Sequence, residues 1–142
     1  VFIKDDKVCQ KPVRELDAKK QQLQDVQNEL TQSGCPVYEV NVDGIKENHF
    51  QAVLSDELIL DYENGRFQMH FTTKSKTSVS AGRSLRYAEV GTLKNVKILA
   101  DTSSVEVFVN DGEFVFSTRY YPNDYKIVVH SPSAHITFDK IQ

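Results

Sequence analysis

The feature that most constrains the fold is a change in the spacing of apolar residues near residue 37. From Val37 onward apolar residues alternate with polar ones, and turn-forming residues recur about every ten positions. This spacing is typical of half-buried strands in an all-β sandwich or barrel. No helical pattern lies between these segments that could cover a parallel sheet. The sequence therefore predicts an antiparallel β-sandwich over residues 37–142.

Ten segments carry the strand pattern, and two hairpins among them can be aligned residue by residue. The predicted strands are Tyr38–Val42, Phe50–Leu54, Glu57–Tyr62, Arg66–Thr72, Leu85–Val90, Val96–Asp101, Val105–Asn110, Glu113–Arg119, Lys126–His130 and His135–Phe138. Asn64-Gly65 suits a type I′ turn, whose two central residues both have positive φ. That turn places Glu63 opposite Arg66 and Leu60 opposite Met69, so one face of the hairpin is apolar. The Asp111-Gly112 pair likewise places Val107 opposite Phe116 in a second hairpin.

Residues 1–36 follow a different pattern. Between Gln10 and Leu30 apolar residues recur at spacings of three, four or seven, Pro12 suits a helix start, and Gly34 suits a helix end. We therefore expect a short connector helix with a thin apolar stripe. Because the sequence opens on an apolar triplet without Met, we also expect residues 1–36 to connect the sandwich to a preceding part of a longer polypeptide.

The composition of the chain argues against a membrane and against nucleic acid as partners. The chain has 142 residues, of which 39% are hydrophobic and 26% charged, and its formal net charge is −3. A chain of this composition has neither the long apolar stretch of a membrane span nor the basic field that binds nucleic acid. Only Cys9 and Cys35 are present, which is far below the density of a disulfide-stapled fold, so we expect reduced thiols.

No residue pattern in the chain suggests catalysis or a cofactor. The sequence lacks a nucleophile elbow, a phosphate-binding glycine loop and the His-Glu-x-x-His zinc motif. Asp61 and Glu63 would share one face of a strand, but that face flanks an exposed turn, where solvated carboxylates are the simpler interpretation. We therefore predict no catalytic residue, no metal site and no cofactor within this chain.

Two ordered segments carry a resemblance to a known family. The run from Asp101 to Glu113, followed by Ser117–Pro122, resembles the strongest signature of the C-terminal sandwich in glycoside hydrolase family thirty-two. Lys7–Leu16 is similar to the family's connector, although Cys9 stands where the family often has an aromatic residue. The resemblance covers essentially the whole chain, and it implies an accessory domain of an invertase, fructanase or sucrose-6-phosphate hydrolase.

The resemblance also implies what the chain lacks. In that family a five-bladed β-propeller performs hydrolysis with two Asp residues and a Glu in separate motifs, and none of these motifs occurs here. The implied role is to pack on the propeller of the same polypeptide and stabilise it, with homo-oligomer contacts in some members, in the cytoplasm. The alternatives are a fructan-binding module, for which Tyr120 and Tyr121 are the candidate sugar contacts, and an unrelated adhesion or scaffold domain.

The signature residues have structural interpretations of their own. They are Asp101, Ser103, Ser104, Glu106, Phe108, Asn110, Gly112, Arg119 and Pro122. Asp101 and Ser103 suit a polar turn, Gly112 suits a tight hairpin turn after Asp111, and Pro122 ends a strand. Charged Glu106 and Arg119 lie in an otherwise apolar hairpin, so each needs a partner, either within the sandwich or across a propeller interface.

Overall fold

A computed structural model of the chain describes residues 2–4, 7–9, 20–46, 49–55, 57–63, 65–71, 85–119 and 125–141. All regular structure in these residues is β-strand, which confirms the predicted all-β class. The strands are β1 (Phe2–Lys4), β2 (Lys7–Cys9), β3 (Lys20–Gln32), β4 (Tyr38–Asp43), β5 (Gln51–Leu54), β6 (Leu58–Glu63), β7 (Arg66–Phe71), β8 (Leu85–Glu89), β9 (Asn95–Ala100), β10 (Ser104–Val109), β11 (Phe114–Arg119) and β12 (Ile127–Ile141).

All pairings between strands are antiparallel. Strands β1 and β2 form a separate pair, and the other strands follow the order β11-β10-β9-β4-β12-β5-β6-β7-β8, with β3 along the free side of β12. The N-terminal part of β12, Ile127–His130, pairs with β5, whereas the later part, His135–Lys140, pairs with β4. One long strand therefore belongs to two layers, which we call the first sheet (β11, β10, β9, β4) and the second sheet (β5, β6, β7, β8).

A bulge in β12 marks the change from one sheet to the other. Ser131 lies opposite Asn28 of β3, but the next paired residue of β12 is His135, opposite Gln27. Ser133 and Asn28 both have positive φ, and the Ser133 amide donates a hydrogen bond of 2.7 Å to Asn28 Oδ1. The extra residues bend the strand, as bulges do, and so allow β12 and β3 to continue from the second sheet into the first.

The core lies between the two sheets. Phe67 of β7 is fully buried, and its ring centroid lies 5.3 Å from that of Phe116 in β11 and 5.8 Å from that of Phe50. Since β7 and β11 are far apart in strand order, these contacts bring the two sheets face to face. Tyr38 and Phe138 stack similarly at 5.0 Å in the first sheet. This arrangement confirms the predicted sandwich.

Both hairpin registers follow the prediction. Glu63 pairs with Arg66 and Leu60 with Met69 in the first hairpin along the chain. Gly65 has a φ of 80°, as its turn requires, while Asn64 lies outside the described residues. In the second hairpin Val107 pairs with Phe116, as Asp111-Gly112 at the turn predicts. The two segments predicted over residues 126–138 are parts of the single strand β12.

The connector-helix prediction is wrong over residues 20–30, where the chain forms strand β3. Residues 10–19 of that prediction lie outside the described residues. The spacings of three and four from Leu23 to Val26 and Leu30 suggested a helix. In the structure Leu23 is exposed, and Val26 and Leu30 lie opposite Ile136 and Val129 of β12. Pairing with β12 from Lys20 to Gln32 supplies long-range backbone hydrogen bonds, and such tertiary contacts override a weak local helical pattern.

Candidate functional site

The hairpin of β10 and β11, which we call the signature hairpin, is held at its tip by the side chain of Asn110. This side chain is 7% exposed. Its Oδ1 accepts hydrogen bonds from the amides of Lys94 at 2.8 Å and Asn95 at 3.4 Å, and its Nδ2 donates to the Thr92 carbonyl at 2.9 Å. Asn110 therefore fastens the loop before β9 to the turn between β10 and β11, which is a structural role.

The turn itself depends on residues that tolerate positive φ. Asn110, Asp111 and Gly112 have φ values of 52°, 60° and 88°. Asn95 Nδ2 donates to Asp111 Oδ1 at 3.1 Å, and the Asp111 amide donates to Asn95 Oδ1 at 2.9 Å. Asn, Asp and Gly are the residues that adopt this conformation most readily, so the sequence at these positions is explained by the turn.

The other end of the hairpin begins with a second polar turn. Asp101 Oδ1 accepts hydrogen bonds from the Thr102 amide at 2.6 Å and from Thr102 Oγ1 at 3.3 Å, and the Asp101 amide donates to the Ser104 carbonyl at 2.9 Å. Ser103 is exposed in this turn. The polar-turn interpretation of Asp101 is therefore confirmed. Tyr120, Tyr121 and Pro122 lie outside the described residues.

Glu106, Phe108 and Arg119 lie on the face of the first sheet that points away from the core. The register places Glu106 between Leu99 and Ser117, and Ser104 opposite Arg119. Phe108 and Leu99 are only 5% and 3% exposed although they lie on this outer face. Glu106 is half-buried and Arg119 exposed. The first sheet therefore has apolar side chains on both of its faces.

A buried carboxylate lies beside Leu99 on the outer face of the first sheet, and it was not predicted from the sequence. Glu39 of β4 is 1% exposed and is paired directly with Leu99. Its Oε2 lies 2.7 Å from Lys20 Nζ and accepts from Asn41 Nδ2 at 3.3 Å, and its Oε1 lies 3.6 Å from Lys97 Nζ. The lysines come from β3 and β9, far apart in sequence, so only the strand order could have revealed the cluster.

The outer face of the second sheet is more open. Tyr87 is 53% exposed, and the guanidinium carbon of Arg66 lies 4.1 Å from its ring centroid. Asp61 Oδ1 accepts from Gln68 Nε2 at 3.2 Å, and Asp61 Oδ2 lies 3.8 Å from His70 Nε2. A groove of about 300 Å³ adjoins these residues. It is lined by His49, Phe50, Gln51, Asp61, Tyr62, Glu63 and His130.

Two side chains have displaced protonation equilibria. Burial, and secondarily the charge of Glu89, raises the pKa of Tyr62, so its hydroxyl remains a neutral donor at the edge of the groove. Burial also raises the pKa of Cys35, outweighing the opposite effects of Lys140 and of its hydrogen bond to the Val37 carbonyl. Cys35 is a free, buried thiol. A raised pKa disfavours the reactive thiolate, so Cys35 is not suited to nucleophilic chemistry.

The described residues contain neither a metal-binding cluster nor a membrane-spanning helix. Within those ranges no three His, Cys, Asp or Glu side chains are grouped in a way that could hold a metal ion. The same residues contain no helix of the length and apolar character needed to cross a membrane.

A family model and a curated relative both match most of this chain. The family model described as glycosyl hydrolases family 32 C terminal matches residues 55–142. A raffinose invertase of Escherichia coli is 29% identical over 135 residues, which cover 86% of this chain and 28% of the invertase.

Solved structures show the same fold. A glycoside hydrolase family 32 structure from Bifidobacterium adolescentis superposes with a TM-score of 0.78 at 16% identity, covering 99% of this chain and 24% of that one. A sucrose-6-phosphate hydrolase from Lactobacillus gasseri superposes with a TM-score of 0.77 at 18% identity, covering 99% and 32%. The chain therefore spans only about a quarter to a third of the proteins that it matches.

Proposed function

Because the chain belongs to the C-terminal domain family of the family 32 glycosyl hydrolases, we propose that it is the accessory sandwich of a β-fructosidase acting on sucrose 6-phosphate or sucrose. The observation that supports this most directly is the share of each relative's length that this chain covers. The chain folds as a sandwich and spans 28% of the raffinose invertase and 32% of the sucrose-6-phosphate hydrolase. The catalytic β-propeller would then precede it in the same polypeptide.

The signature residues support a packing role rather than a catalytic one. Asn110 and Asp101 form hydrogen bonds within the turns at the two ends of the hairpin. A retaining glycosidase instead needs two carboxyl groups roughly 5 Å apart across a cleft that holds the sugar. We therefore expect the chain alone to release no fructose from sucrose, sucrose 6-phosphate or fructans.

The outer face of the first sheet is the best candidate for the contact with the propeller. It carries Leu99 and Phe108 beside the charge cluster around Glu39. Leu99 and Phe108 are themselves almost fully buried, so the apolar surface that this face offers to another domain lies at its partly exposed edge. The neighbouring Val115, paired with Phe108, extends the apolar strip to the edge strand β11.

Mixing the chain with a separately produced catalytic domain tests this proposal. Binding only to the folded catalytic domain should raise its melting temperature as the concentration of the chain increases. The Val115→Ser variant, at a partly exposed position of the first sheet's outer face, should reduce the shift, whereas Tyr87→Thr, on the opposite sheet, should leave it unchanged. A melting temperature that does not respond to the chain would contradict the packing role, as would fructose release by the chain that depends on one of its own carboxylates.

A cytoplasmic location and self-association belong to the same proposal. Cys35 is a free thiol, which is the usual state in a reducing compartment and so supports a cytoplasmic location. A chain separated from its propeller should expose the surface that contacts the propeller, which includes the partly exposed Val115, and should associate through it. Sedimentation at increasing concentration measures this association, and Val115→Ser should weaken it.

A further inference from the structure

A straight row of polar side chains crosses the outer face of the second sheet. Residues that are paired in a sheet project from the same face. The pairings run His130 to Gln51, Gln51 to Asp61, Asp61 to Gln68, and Gln68 to Tyr87. These residues lie on β12, β5, β6, β7 and β8, so with a strand spacing of about 4.8 Å the row is about 19 Å long. We call it the polar row.

Tyr87, at one end of the polar row, offers an aromatic surface. Its side chain is 53% exposed, and Arg66 packs over one face of its ring. The guanidinium holds the ring in place by a cation–π contact and still leaves more than half of the side chain accessible. An ordered, exposed ring of this kind suits stacking against the C–H face of a sugar, because tyrosine combines an apolar body with a polar hydroxyl.

The groove lies toward the other end of the row and shares three residues with it. Gln51, Asp61 and His130 belong to both. Its volume of about 300 Å³ is at the lower end of the range for small-ligand sites, roughly 300–1,000 Å³. Each side-chain amide has two donor hydrogens and an acceptor oxygen. The single hydrogen bond from Gln68 to Asp61 therefore leaves capacity in both groups for the hydroxyls of a ligand.

A half-buried apolar strip borders the polar row on the same face. Val128, Val53 and Ile59 are paired across β12, β5 and β6, one row further along the strands. All three are partly exposed. The face therefore presents polar and apolar lines side by side, which matches the alternating hydroxyl and C–H surfaces of a sugar chain.

The charge on this face favours a neutral ligand. Glu29, Asp61, Glu63 and Glu89 all project from it, whereas Arg66 is its one guanidinium within the described strands. The Arg66 guanidinium is already used by Glu89 and by the ring of Tyr87. A phosphate or carboxylate group would therefore meet an acidic surface, while uncharged hydroxyls can accept and donate without that cost.

We propose that the polar row, from Tyr87 to the groove at His130, is a binding site for a neutral oligosaccharide. Tyr87 stacks on one sugar ring, and Gln68, Asp61 and Gln51 bind hydroxyls further along the chain of the ligand. The site goes beyond the packing role proposed above, and it lies on the opposite face of the sandwich. Neither proposal depends on the other.

Titration of the whole 142-residue chain with two pentasaccharides tests the site. An inulin-type fructan oligomer and maltopentaose are suitable probes, followed by calorimetry and by backbone amide shifts in NMR spectra. We expect saturable binding of at least one probe, with perturbed amides on β5 to β8 and not on β9 to β11. Raising the salt concentration from about 0.05 to 0.5 M should leave the affinity of a neutral ligand unchanged.

Matched variants locate the site. Tyr87→Thr keeps strand propensity and should weaken binding about tenfold, the size of one aromatic stacking contact. Gln51→Ala, at an exposed side chain, should weaken it about fivefold, which corresponds to one hydrogen bond. Tyr87→Phe should retain the affinity. Tyr125→Ala removes a different exposed tyrosine and should change nothing.

Three outcomes would overturn the proposal. The first is the absence of saturable binding of both probes to the folded chain. The second is binding that survives both Tyr87→Thr and Gln51→Ala. The third is a dimer, detected by sedimentation, that Tyr87→Thr dissociates, because a second copy of the chain would then occupy this face. Since no catalytic domain is present in these measurements, none of these results bears on the packing role.

Discussion

The strands of both sheets alternate between core-facing and outward-facing residues, but the outward-facing carboxylates of the two sheets differ in burial and in hydrogen bonding. On the first sheet Glu39 is buried and faces two lysines and an asparagine, beside the buried Leu99. On the second sheet Asp61 is half-exposed and receives one hydrogen bond from Gln68. The buried carboxylate of the first face is paired within the chain, whereas the second face retains capacity for hydrogen bonds to another molecule.

This difference distinguishes the kinds of partner that each face can take. A face that combines a paired, buried carboxylate with a partly exposed apolar edge suits a fixed contact with another protein domain. A face with exposed amides, carboxylates and an ordered aromatic ring suits a small polar ligand. The comparison predicts that substitutions on the first sheet act mainly on stability, and that substitutions on the second act mainly on binding.

The largest effect should come from Phe67, which connects the two sheets. Phe67→Ala removes a fully buried ring that contacts Phe50 and Phe116, and it should lower the free energy of unfolding by about 4 kcal/mol. Urea denaturation followed by circular dichroism measures the change. Because the ring packs on both sheets, we expect the variant still to unfold in a single cooperative transition. Two separate transitions would mean that the two sheets unfold independently of each other.

Removal of both cations near Glu39 should have the next largest effect. Lys20→Met with Lys97→Met leaves a buried carboxylate without its lysines, and breaking a buried ion pair costs about 3 kcal/mol. The same denaturation experiment measures it. Arg66→Met is the matched control on the second sheet, where the cation is exposed. A loss equal to that of Arg66→Met would show that the cluster at Glu39 is as weak as a surface pair.

Much of the fold could be predicted because the local signals were strong and consistent. The alternation after Val37 identified the strands, and the Asn64-Gly65 and Asp111-Gly112 pairs set two registers that the structure confirms. Asp101 was correctly assigned to a polar turn. Each of these inferences depends on neighbours in sequence, for which turn chemistry and a period of two are sufficient.

The inferences that failed or were missed depend on distant pairings. Lys20–Gln32 has a helical spacing but becomes a strand because β12 pairs with its whole length. The cluster at Glu39 and the polar row each combine side chains from at least three strands. Strand order is not encoded by any local pattern, so neither site could be assembled from the sequence.

Substitutions at the tips of the two hairpins should lower the free energy of unfolding by smaller amounts, and the two tips should differ. Asn110→Gly keeps the freedom to adopt positive φ but removes three hydrogen bonds to the loop before β9, so it should cost about 2 kcal/mol. Gly65→Ala, at the tip of the hairpin in the second sheet, introduces only the strain of a side chain at φ 80°, since its Cβ would meet open space. It should cost about 1 kcal/mol.

Thermal unfolding of the two variants side by side measures this difference. If Gly65→Ala proves the more destabilising, the signature hairpin is not the more strongly fastened of the two. The structural explanation of Asn110 would then be insufficient, and a role for its side chain in contact with another domain would gain support.

The smallest effect should come from the exposed ion pair on the second sheet. Arg66 Nη2 lies 3.3 Å from Glu89 Oε1, and the two side chains are 43% and 67% exposed. Water and salt screen such a pair, so Glu89→Gln should change the free energy of unfolding by about 0.5 kcal/mol at most. The contact between Arg66 and the ring of Tyr87 does not involve Glu89, so we expect it to persist in this variant. Urea denaturation at low and high salt measures the change, with Lys20→Met and Lys97→Met as the contrasting pair of substitutions. A loss above about 1 kcal/mol would mean that this face is needed for folding, and changes of oligosaccharide affinity there would then have to be corrected for the unfolded fraction.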